Sequence, residues 1–208
     1  DAPPPGSILV YQREAPYRPG AAALKAQAGA PAILFVTEAG RGPKGLYFAG
    51  YTPQALQAAS PDRVAAVAAE VDRQQRLLAA WKPDRKNPHY KRARKFVVRL
   101  GGASGAEQQR LLSYLEAMPP EAAPAIVAVM NDRRRVKSGY VSLIDPSPDT
   151  FQTTRRYAVE QVIDALSAIL GQITGENFGD FTAASDRERA VAVAGWRVYA
   201  ADLACEAN

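Results

Sequence analysis

The chain has a single histidine, His89, and a single cysteine, Cys205, and these two scarcities remove a good deal of chemistry. One cysteine forms no internal disulfide and supplies no cluster of thiolate ligands, so Cys205 reads as a terminal thiol. One histidine excludes a His-rich zinc site and leaves Ser-His-Asp or Cys-His catalysis resting on His89 alone. That residue follows Asn87-Pro88, a helix-start signal, and is expected on the side of Ala93, Phe96 and Leu100, as a packed or end-of-helix histidine.

Long apolar runs are also missing. No stretch reaches the roughly 18 residues a membrane helix needs, because the Ala-rich segments are broken by charge or proline. Phosphate loops fail too. Gly101-Gly102-Ala103-Ser104-Gly105 follows a helical pattern instead of a strand and lacks a Gly-Lys-Ser/Thr ending, and it misses the spacing of a nucleophile elbow. Asp145, Asp149, Glu176 and Asp180 fall in loop-like stretches without EF-hand spacing, and Asp beside Pro or Ser is what turns use. The sequence therefore assigns no catalytic residue, no metal ligand and no cofactor. An enzyme using those loop carboxylates is the third reading, after two binding roles given below.

What is present is a chain of 208 residues, 47% hydrophobic, long enough to bury a core. Before residue 60 the signals are those of strands. Ser7–Tyr11, Ala32–Thr37 and Leu46–Tyr51 are rich in β-branched and aromatic residues between Gly and Pro, and the polar stretch Glu38–Gly45 suits a hairpin. Tyr47 and Tyr51 alternate with Leu46 and Phe48 on what reads as a sheet face. A small antiparallel β element over residues 1–59 follows, packed on a helical domain over residues 60–208. The start Asp1-Ala2-Pro3-Pro4-Pro5 has the look of a chain trimmed after a signal peptide, so a periplasmic or secreted protein is expected, with a cytoplasmic one as the other option.

From Ser60 the period changes to that of helices. Ser60-Pro61 supplies a cap and a first-turn proline before Val64, Val67, Val71, Leu78 and Trp81, and Pro83 stops the helix. A second helix places Ala93, Phe96, Val97 and Leu100 on one face and ends at Gly101. Ser104 and Glu107 have capping-box spacing ahead of Leu111, Leu112, Leu115 and Met118; Pro119-Pro120 then separates a further helix through Ile126, Val129 and Met130. Residues 138–154 read as a long polar connection with one short apolar element, Tyr140–Ile144. From Arg155 a long amphipathic helix carries Val159, Val162, Ile163, Leu166, Ile169, Leu170 and Ile173, closed by Gly175 and Gly179. Ser185 and Glu188 open a last helix with Val193, Trp196, Ala200 and Leu203 inward; Trp81, Trp196 and Phe178 are core candidates.

The string Ile173-Thr-Gly-Glu-Asn-Phe-Gly179, the Ser-x-x-Glu-Arg start and Ala192-Val-Ala-Gly-Trp-Arg197 resemble the terminal unit of HEAT-repeat-like proteins of GC-rich bacteria, several of them exported. The hairpin from Glu107 to Asn131 resembles an ordinary HEAT-type pair. The resemblance covers the C-terminal half. It implies a mainly α fold of stacked helical hairpins, an α-solenoid, and a protein-binding scaffold with no catalytic residues.

Charge supplies the candidate site. Net charge is +5, yet from Arg155 onward there are five basic and eight acidic residues, which leaves +8 on the first 154. Between Lys82 and Arg99 eight Lys or Arg face one acid, Asp84. Lys91, Arg92, Arg94, Lys95 and Arg99 cover the helix face opposite Phe96, while Arg133, Arg134, Arg135 and Lys137 follow at the end of a later helix, where cations also suit the C-terminal dipole. Aligned, the two clusters form a basic patch for a protein partner with an acidic surface. Nucleic acid or an anionic lipid surface is the alternative partner, although Tyr90 is the one aromatic inside the first cluster.

Overall fold

The computed structural model describes residues 31–34, 36–38, 47–49, 56–144, 154–179 and 184–206. The expected strand Ser7–Tyr11, together with Tyr51, Asp145, Asp149 and Asp180, lies outside the described residues. The chain is mainly helical, with short antiparallel strand pairs and two compact units, residues 1–73 and 74–208. No helix among the described residues is long and apolar enough to cross a membrane.

In the first unit, β2 (Val36–Glu38) pairs antiparallel with β3 (Tyr47–Ala49), the hairpin that the polar Gly-rich stretch predicts. β1 (Ala32–Leu34) pairs with β4 (Leu56–Ala58), a strand the composition does not announce. Helix α1 (Pro61–Ala80) starts where expected, with the Arg63 amide donating to Ser60 Oγ at 3.3 Å, and it runs across the boundary between the units. Its apolar stripe differs from the expectation: none of its residues is buried, and Val64 and Val71 are about half exposed (50% and 46%).

The second unit holds the core. Helices α2 (Tyr90–Leu100) and α3 (Gly105–Glu116) pack side by side across a short turn. Ser104 caps α3, its Oγ accepting from the Glu107 amide at 3.3 Å, while the Glu107 carboxylate turns to Arg99 and Arg110. After a 3-10 turn at Pro120–Ala122 comes α4 (Ala123–Val127). Ala123, Ala125, Ile126 and Val127 are all buried, and α4 packs against α2, α5 (Val162–Thr174) and α6 (Asp186–Glu206). A helix apolar all round belongs at the centre of a core.

Two expectations are corrected here. The helix through Ile126 ends at Val127 instead of continuing past Met130. The Val129 and Met130 amides tighten onto Ile126 and Val127, and the chain beyond pairs with another segment. The polar stretch from 138 to 154 is no plain connection: β5 (Tyr140–Ile144) and β6 (Thr154–Ala158) form an antiparallel hairpin, placing Arg155 in a strand and the helix start at Val162. The ladder continues below it, through Val136 to Glu160 (2.9 Å) and Val162 to Arg134 (2.8 Å), so pairing overrides the helical period around Val159. Helices α5 and α6 touch each other less than they touch α4. Long side chains join them: Trp196 Nε1 donates to Ser167 Oγ at 2.9 Å, and Arg189 reaches Asp164.

The stop and start signals around these helices hold. Gly175 takes φ +77°, a left-handed turn that favours glycine, and Ser185 and Glu188 cap α6 reciprocally at 3.2 and 2.6 Å. Trp196 is fully buried, with Phe178 edge-on at 4.8 Å. Gly195 is required by that ring, because a Cβ there would lie 2.6 Å from Phe178.

Candidate binding surface

The nine predicted cations divide by where their charge goes. Arg134 lies against the C-terminus of α2: its Nη1 donates to the Val98 carbonyl at 3.1 Å, its Nη2 to the Val97 carbonyl at 2.8 Å, and it pairs with Asp132. Hydrogen bonding to Asp132 raises its already high pKa. The guanidinium also explains Gly101. That residue has ordinary helical angles, φ −66° and ψ −28°, but a Cβ would sit 1.9 Å from Arg134 Nη1. Gly101 is therefore no left-handed stop, and a side chain there would displace the Arg134 guanidinium.

Arg133 pairs with Asp186 at 3.1 Å, and Arg99 with Glu107 at 2.7 Å. These three charges are partly spent inside the molecule. Lys91, Arg92, Arg94, Lys95, Arg135 and Lys137 are exposed and have no ion pair among the described residues. The expectation that the Arg133 run caps its own helix is corrected: α4 ends earlier, and 133–137 is an extended segment held by the Arg135–Gln161 bridge. Val136 points inward there, so Arg133, Arg135 and Lys137 share the outer side.

The two clusters are neighbours in space. Arg94 lines an open groove of about 460 Å³ with Arg133 and Arg134, above a floor that includes Val98 and Val129. On the other flank of α2, Arg92 lies over the Phe96 ring at 5.7 Å, and Phe96 stacks on Tyr114 at 5.4 Å between centroids. Tyr114 is 52% exposed. Sequence spacing misses Tyr114 because it comes from a different helix, and it misses Asp132 as the acid that occupies Arg134. A buried Gln108 locks the arrangement, its Nε2 donating to the Leu100 carbonyl (2.8 Å) and its Oε1 accepting from the Lys137 amide (2.8 Å).

Comparison with protein-family models, curated proteins and solved structures finds no match.

His89 stands at the N-cap of α2, the end-of-helix position expected of it, half-buried and without a side-chain cap bond; its amide donates to Asn87 Oδ1 at 2.9 Å and its carbonyl accepts from Ala93. Among the described residues no group of three or more His, Cys, Asp or Glu is placed to hold a metal ion. Glu176 is exposed beside Thr174 in the turn after α5. Arg189 and Asp164 form a buried ion pair: Arg189 donates to Asp164 at 2.7 and 3.1 Å and to the exposed Glu160 at 3.2 Å, and the bonds to Asp164 raise the arginine pKa. Asp164 also accepts from the Glu160 and Gln161 amides, both at 2.9 Å, capping α5.

Proposed function

We propose that the chain is a non-catalytic protein-binding scaffold whose outward α2 face receives an acidic partner. The observation that carries this reading is the row Lys91, Arg94 and Lys95, exposed and without ion pairs among the described residues, beside the Arg92–Phe96–Tyr114 stack. Arginine and tyrosine with their apolar bodies half-covered are what protein interfaces concentrate. Arg135 and Lys137 extend the cationic surface, while Arg99, Arg133 and Arg134 hold its framework.

A HEAT-like origin of the helical unit belongs to the same proposal. The side-by-side pair α2 and α3 supports it, whereas the pair expected from Glu107 to Asn131 departs from a full hairpin, its second helix α4 being five residues long. Exported bacterial scaffolds are the setting that the resemblance implies, in the periplasm or outside the cell.

The test is titration of the full chain with polyglutamate and with single- and double-stranded oligonucleotides across a range of salt. Polyglutamate should bind, and the combined Lys91→Glu, Arg94→Glu and Lys95→Glu variant should lose that binding while its stability stays within about 0.5 kcal/mol. Tighter binding to oligonucleotides, with a steep fall in salt, would favour a nucleic-acid role instead. Binding to neither polymer at low salt overturns both readings.

A further inference from the structure

Among the described residues, the β5–β6 hairpin has one sealed edge and one open edge. Along β5, Gln109 Nε2 donates to the Ser142 carbonyl at 3.0 Å, the Glu116 carboxylate accepts from the Ile144 amide, and Gln172 Nε2 donates to the Ile144 carbonyl. Alternate residues of a strand direct their backbone groups to opposite edges. Ser142 and Ile144 therefore face the helices, and Val141 and Leu143 face β6, opposite Tyr157 and Arg155.

The same alternation turns the amides and carbonyls of Thr154, Arg156 and Ala158 away from the hairpin. All three residues are exposed, and among the described residues nothing pairs with that edge. Unpaired strand edges are templates for another strand, and proteins blunt them with proline, a bulge, short length or charge, of which this five-residue edge with two arginines has the last two. Thr154-Arg155-Arg156-Tyr157-Ala158 has no proline, and its register with β5 is unbroken.

Charge selects the occupant. Arg156 lies on the solvent face, 5.0 Å from the Tyr140 ring, and Arg155 projects from the other face opposite Leu143. Two copies of β6 paired about Arg156 would oppose arginine to arginine, which is destabilising, whereas a glutamate opposite Arg156 is favourable. We propose that the edge Thr154–Ala158 docks an extended acidic segment of a protein partner as a third strand. This site is separate from the α2 face and stands without it.

A capped peptide of alternating glutamate and valine tests it on the full chain, beside the same peptide N-methylated along one hydrogen-bonding edge. The unmodified peptide should bind, and methylation should weaken it roughly tenfold or more, since the lost contacts are backbone hydrogen bonds. Ala158→Pro, which removes an outward donor, should weaken binding comparably, and the triple glutamate variant of α2 should leave it largely intact. Equal affinity for the methylated peptide, or loss only in the α2 variant, overturns the proposal in favour of charge attraction at the α2 face. Absence of binding, or self-association of the chain through this edge, overturns it as well. The methylated-peptide arm uses the unaltered chain, so misfolding of Ala158→Pro does not obscure the answer.

Discussion

Helix α2 and the extended segment 131–137 carry similar runs of basic residues, and the fold uses them in opposite ways. On α2, Lys91, Arg94 and Lys95 point to solvent, because the opposite side, with Ala93, Val97 and Leu100, is committed to the core. On the segment, Arg134 turns back onto the Val97 and Val98 carbonyls, and Arg133 onto Asp186. Arg189 on α6 takes this further and is 4% exposed between two carboxylates. A cation's role here depends on whether acceptors left over by the backbone lie within its reach. Helix C-termini leave such carbonyls, and Arg134 fills that need from a distant part of the chain.

The largest effect expected from breaking this contrast is at Arg189. Arg189→Met leaves Asp164 buried without its cation and should cost about 3–5 kcal/mol in chemical denaturation. Adding Asp164→Asn should recover part of the loss, because the residual buried charge is then gone. A loss below about 1 kcal/mol would mean that water and the Glu160 and Gln161 amides, which already donate to Asp164, stabilise its charge without the guanidinium.

At Arg134 the effect should be smaller, because the guanidinium is half exposed. Arg134→Ala should cost about 1–2 kcal/mol, and Arg134→Lys should rescue little, since a single ammonium cannot span both carbonyls and Asp132. Fraying of the C-terminal turn of α2 in hydrogen exchange would locate the damage. If lysine restores stability fully, charge and not the planar fork is what α2 needs.

Glu116 sharpens the comparison from the acidic side and should give the smallest effect. Burial raises its pKa, the Ile144 amide opposing the shift. A carboxyl with a raised folded pKa holds its proton more tightly in the folded chain. Its contribution is therefore fully present below the ordinary carboxylate range and is lost as pH rises through the raised value. Glu116→Gln should keep the acceptor for Ile144 and flatten the stability profile over that window, with little change in the hairpin. A profile identical to that of the unaltered chain would show that solvent cancels the burial.

Local grammar carried much of the helical half. The caps at Ser60, Ser104 and Ser185 and the stop at Gly175 rest on contacts within a few residues, so they were legible in the sequence. The exposed face of α2 was legible too, since one helix's periodicity decides it. The β5–β6 hairpin was not. Thr154–Ala158 is short and half charged, and the run from Val159 has a helical period, so only pairing with Tyr140–Ile144 makes it a strand. Asn87 likewise reads as a cap but instead closes a turn onto His89.

The sequence by itself determined the apolar stripes of α2, α3 and α5, the serine caps, the scarcity of His and Cys, and an excess of positive charge ahead of Arg155. Tertiary structure alone decided which cations are drawn into internal contacts. Arg134 meets residues 36 and 37 positions away, and Arg189 meets Asp164 25 positions away. No local period encodes such distances. They arise when a central apolar helix, α4, gathers α2, α5 and α6 around it and brings unpaired carbonyls and carboxylates to particular guanidinium groups.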